Sequence, residues 1–198
     1  MNFWTDITAR FREVIRRIFT QREEVAMPPI QTPSVNRLPA NRDPRTLIFK
    51  IFEEELPIRG GWGYSKEDAV VIDKHDPSVN PRLPFHGVGI ERQFVLNRLQ
   101  LELITALPQE ESYADIKWEL IRQSVHQDGG RTFDCLRCEA FALRYLDWLA
   151  LKDEWEGPNG YGSKGFDEET HFKKRRDLTF RFECEYWFEI TSFFGKSV

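Results

Sequence analysis

Asp73, Lys74, His75 and Asp76, followed by His86 and Glu91, form the densest group of potential metal-binding or acid–base side chains in the chain. Carboxylate oxygen and imidazole nitrogen bind zinc or harder cations, and a histidine beside an aspartate can act as a general base. Asp73, His75, Asp76, His86 and Glu91 are therefore the candidate catalytic residues. Their spacing fits no metal motif, and a solvated turn after a strand accounts for the same residues, since Asp tolerates turn conformations well. Neither a metal nor a cofactor is expected.

Cys135 and Cys138 stand in a C-x-x-C arrangement, the spacing of half a zinc site or a redox pair. Cys184 is the remaining thiol, one short of the four ligands a structural zinc usually takes. On a strand, side chains three apart point to opposite faces, so the pair cannot chelate and reads as two small sheet residues. The odd cysteine count also argues against a disulfide framework and for a reducing compartment, taken here as the cytoplasm.

Two glycine-rich loops invite a phosphate-binding reading. Gly60, Gly61, Trp62, Gly63, Tyr64, Ser65 and Lys66 make the first, with glycine spacing that matches neither a P-loop nor a dinucleotide fingerprint. The second runs from Gly157 to Gly165 and precedes Lys173, Lys174, Arg175 and Arg176, a run able to meet nucleic-acid phosphates. Asp167, Glu168, Glu169 and Asp177 bracket that run, so a solvated helix face balanced by ion pairs is the stronger reading. A net charge of -4 also disfavours an electrostatic grip on nucleic acid by the whole protein.

The elements that must position these residues read from periodicity. Trp4, Ile7, Phe11, Val14, Ile15, Ile18 and Phe19 recur at spacings of a helix face, which predicts an amphipathic helix over 1–24. Its apolar stripe must be buried against its own domain, another protein, a second copy, or a membrane surface. Prolines 28, 29, 33, 39 and 44 make 25–45 an extended arm, and one globular domain is expected over 46–198.

Within that domain, a strand, turn and strand are predicted between Pro57 and Asp73, and a surface loop from Asp76 to Pro84. A helix follows over 90–107, closed by Pro108. A hairpin is favoured from 115 to 143 around Asp128, Gly129 and Gly130: Ile116, Trp118 and Leu120 alternate as in a strand, although Leu120, Ile121 and Val125 also fit a helix face. A helix from Tyr145 to Trp155 ends at Gly157 and Pro158. Phe180, Phe182, Cys184, Tyr186 and Phe188 alternate with charged or polar neighbours, the pattern of a strand with one buried face. The apolar run from Leu47 to Phe52 fits helix and strand equally.

The whole reads as α+β: an antiparallel or mixed sheet packed against helices, preceded by the amphipathic helix and the Pro-rich arm. No segment has the ~18 apolar residues a membrane span needs. Two functions compete. One is a non-catalytic protein–protein interaction module that uses the N-terminal helix stripe together with Trp62, Tyr64 and Tyr161 to hold another protein or a second copy of itself. The other is a small hydrolase or nucleic-acid-processing enzyme with its site around residues 73–91.

Overall fold

The computed structural model describes residues 37–105 and 107–195, so the expected N-terminal helix and most of the Pro-rich arm lie outside the described residues. Helix α1 spans Pro44–Phe52 and resolves the ambiguous apolar run as a helix. Asp43 caps it by accepting from the Thr46 N–H, and Pro44 occupies the first helical turn, where its missing N–H costs nothing. The same apolar residues then serve as a helix face, with Leu47 and Ile48 buried. Leu38, still within the expected arm, is buried in the same core.

Strands β1 (Ile58–Gly60) and β2 (Val70–Ile72) form the short antiparallel pair predicted around the first glycine loop. Helix α2 spans Gly87–Gln100 and runs on through a wider π turn, Leu101–Thr105. The long hairpin joins β3 (Tyr113–Asp128) to β4 (Arg131–Arg144), and its turn places Gly129 and Gly130 at positive φ, which glycine adopts without a side-chain clash. Helices α3 (Tyr145–Glu156) and α4 (Glu168–Leu178) follow, and β5 (Phe180–Glu189) closes the order.

Among the described residues five strands make one mixed sheet in the order β1, β2, β5, β4, β3, and only the β2–β5 contact there is parallel, with Val70 opposite Phe188. The fold is therefore α+β, and of the two sheet types expected the mixed one is present. Helix α2 lies on the core face of the sheet. Phe94 meets Phe188 edge-on at 5.7 Å and Trp62 at 6.2 Å, with Val95, Leu99, Leu136 and Tyr186 buried in the same cluster. Fully burying one such large apolar side chain contributes about 1.5–3 kcal/mol, so this layer holds α2 rigidly against β4 and β5.

A second aromatic group fastens α3 to α4. Tyr161 stacks on Trp155 at 4.4 Å, and Phe166, His171 and Phe172 surround the same indole. Among the described residues no helix is long and apolar enough to cross a membrane.

Candidate functional site

The residues first singled out do not come together. Asp76 is held by Arg45, whose guanidinium forks onto both carboxylate oxygens at 2.7 and 3.1 Å, and by the Ser78 N–H and hydroxyl. Burial alone would raise this carboxyl, but the Arg45 and Ser78 hydrogen bonds and the Arg45 charge pull it down to about 2. Asp73 accepts from the His75 N–H in a tight turn, and the His75 side chain is exposed. His86 caps α2, its Nδ1 accepting from the Gly89 N–H at 2.9 Å. Asp73, Asp76 and His86 each complete a local turn or cap. Among the described residues no group of three or more His, Cys, Asp or Glu side chains is placed to hold a metal ion.

Glu91 has a different setting. It is buried on α2, and burial, reinforced by the charge of Asp134 on β4, pushes its carboxyl up to about 8. Asp134 is likewise raised by burial; its Oδ2 accepts from Gln123, while its buried Oδ1 has no hydrogen-bond partner among the described residues.

Many amides of the glycine loops are spent within the chain itself. In the first, the N–H groups of Trp62 and Tyr64 both donate to the Asp68 carboxylate, and those of Gly61 and Gly63 donate to the carbonyls of Ala69 and Asp68. In the second, Gly157, Gly160, Tyr161 and Ser163 donate to carbonyls of the same segment or of α3. Three residues of the basic run are paired: Lys173 with Asp177, Lys174 with Glu154 and Arg175 with Asp115.

The expected exposed anchors split. Trp62, expected on the surface, is 1% exposed and part of the core, because its loop folds back over α2. Tyr161 is 61% exposed, though one ring face rests on Trp155. Tyr64 is half-buried and leads to a feature that sequence reasoning missed.

That feature is a cleft of about 610 Å³ beside the free edge of β5, lined in part by Arg37, Tyr64, Arg98, Glu102, Phe182 and Cys184. Its floor is a buried ionic group. Arg98 and Glu102, one turn apart at the end of α2, pair at 2.9 Å with side chains 4% and 2% exposed. The Arg98 guanidinium lies between two rings, 3.8 Å from the centre of Tyr64 and 4.3 Å from that of Tyr186. It also donates to the carbonyls of Trp62 at 3.0 Å and Glu185 at 3.4 Å. The Tyr64 hydroxyl donates to Glu102 at 2.6 Å and accepts from the Leu38 N–H.

Burial works against the charge on Arg98, but Glu102 holds the guanidinium protonated. Burial drives the Tyr186 phenol well above its ordinary value, and burial together with the Glu102 charge raises that of Tyr64. A buried ion pair of this kind contributes little net stability, because desolvation offsets most of the attraction, but removing one partner is costly. Its geometric effect is to fasten the Trp62–Tyr64 loop, α2 and the β5 backbone together at one point.

Among the described residues the edge of β5 is open along this cleft. The Trp187 N–H donates to Gly63 O at 3.0 Å, and Glu185 O accepts from Arg98, so the main-chain groups of these residues face away from β4. Alternation along an antiparallel ladder aims those of Arg181 and Glu183 the same way. Among the described residues no strand pairs with β5 on this side before Phe188. Gly63 makes the close approach possible: its φ is +74, and a Cβ there would stand 2.9 Å from Trp187 O.

Compared with protein-family models, with curated proteins and with solved structures, the chain matches none.

Proposed function

We propose that this protein is a non-catalytic interaction module that holds an extended segment of another protein against the open edge of β5. The observation that carries the reading is the outward main chain of Arg181 and Glu183, which no strand among the described residues pairs, facing a cleft whose floor is fastened by Arg98. An extended segment laid along such an edge gains main-chain hydrogen bonds, and the alternation of its side chains supplies selectivity. One set would meet Tyr64 and Phe182; the other would meet Arg137 and Glu183, which pair across the outer face at 2.5 Å. A rigid, prearranged edge lowers the ordering cost of such binding. The apolar stripe of Trp4, Ile7, Phe11, Val14, Ile15, Ile18 and Phe19, outside the described residues, is a second contact in the same reading, toward a partner or a second copy.

The test is selection of ten-residue peptides (about that length, to span the edge) from a random displayed library on the full chain, followed by anisotropy titration. Glu183→Pro removes one outward N–H while leaving the inward ladder to β4 intact. Selected peptides should lose roughly tenfold or more in affinity for this variant, about 1.4 kcal/mol or more, while its circular dichroism and thermal midpoint stay near wild type. Peptides that bind both proteins equally, or a library that yields no binder, would remove the edge as the site.

A further inference from the structure

Cys138 on β4 and Cys184 on β5 stand directly opposite one another in the antiparallel register, both on the core face of the sheet. Cys135 is the register partner of Trp187 and lies on the other face, so the C-x-x-C pair is split and a cross-strand pair takes its place. We propose that Cys138 and Cys184 are a thiol–disulfide site that closes to an intramolecular disulfide on reaction with a low-molecular-weight disulfide such as oxidised glutathione.

Three observations carry this. Directly opposed residues in an antiparallel pair have Cα atoms about 4.5–5.5 Å apart, within the span a disulfide bridges. The Cys184 sulfur leans toward the neighbouring strand, 3.8 Å from Cys138 O, and also contacts the Tyr186 hydroxyl at 3.6 Å. Cys184 also lines the cleft, whereas Cys138 is 0% exposed, so the order of events is set by access. Both are free thiols.

The Cys184 thiolate attacks one sulfur of the reagent disulfide, forming a mixed disulfide and releasing one reagent thiol. The Cys138 thiolate then attacks the Cys184 sulfur, forming the Cys138–Cys184 bond and expelling the second reagent thiol. Two protein thiols are oxidised, one reagent disulfide is reduced to two thiols, and the protons from Cys138 and Cys184 end on the departing thiols. Burial, with the Cys184 and Cys135 sulfurs opposing ionisation, pushes Cys138 up to about 12, and burial raises Cys184, so closure is slow at neutral pH and faster in mild alkali. The inference does not depend on what fills the cleft.

The test is incubation of the full chain with oxidised glutathione, then alkylation and peptide mapping without reductant. The expected product lacks two hydrogen atoms, links the Cys138 and Cys184 peptides, and leaves Cys135 alkylated, so that the thiol titre falls from three to one. In Cys138→Ala the reaction should stop at a glutathione adduct on Cys184, an outcome that requires the attack order given above. A wild-type chain that keeps all its thiols, retains a lasting adduct, or links Cys135 to either partner would overturn the proposal.

Discussion

Replacing Glu91 by glutamine should flatten the pH dependence of stability. In the unfolded chain this carboxyl ionises near 4.5; in the folded protein burial and the Asp134 charge hold it protonated to about 8. Between those values the folded state binds the extra proton, so stability is fully present below 4.5, falls as pH rises, and levels off above about 8. At about 1.4 kcal/mol per pH unit the interval sets a ceiling of about 5 kcal/mol. Relaxation of the site on ionisation brings the expected loss to about 2 kcal/mol. Glutamine has the shape of the neutral acid and nothing to ionise. Urea unfolding at about pH 4.5 and about pH 8.5 should show near-equal midpoints at the acid value and a more stable variant at the alkaline one. Parallel profiles for the two proteins, or a variant weaker at high pH, would refute the argument.

Two further outcomes follow from the ion pairs. Arg98→Met should destabilise by about 3–5 kcal/mol in chemical denaturation, because Glu102 is left buried without a counter-charge; adding Glu102→Leu should recover much of the loss. Asp76→Asn should cost about 1 kcal/mol at neutral pH, since Asp76 is shielded but Arg45 is partly exposed. Because the Asp76 carboxyl is held down to about 2, its contribution is present above about 3.8 and lost as pH falls through about 2, so wild-type and variant thermal midpoints should converge in acid.

Much of the fold was legible because period and punctuation agreed. The Asp128–Gly130 turn favoured the hairpin over the helix that 115–126 also fits, and the strict alternation of Phe180 to Phe188 gave a strand with one buried face. The type of the Leu47–Phe52 run was not legible, since a short apolar run carries no period of its own; Asp43 and Pro44, an aspartate cap followed by a first-turn proline, were the signal that marks it as a helix.

The cleft was hidden for another reason. Arg98 and Glu102 read as an ordinary exposed pair one turn apart, and only the arrival of β5, far along the chain, buries them. The candidates at 73–91 were chosen by local density of reactive types, whereas the structure uses Asp73, Asp76 and His86 to complete turns and caps. Trp62 was misplaced by the glycines around it: they let the loop fold back and bury the indole instead of displaying it.

The last strand in chain order among the described residues is the one in the middle of the sheet. β5 joins β2 to β4, and Val70 waits for Phe188 before its edge is paired. During synthesis the hairpin can form early, but the face that α2 must cover lacks its central strand until the end of β5 has left the ribosome. Such long-range closure slows folding and leaves apolar surface open in the interim. A chain cut short before Phe188 would therefore lose the organisation of both halves of the sheet.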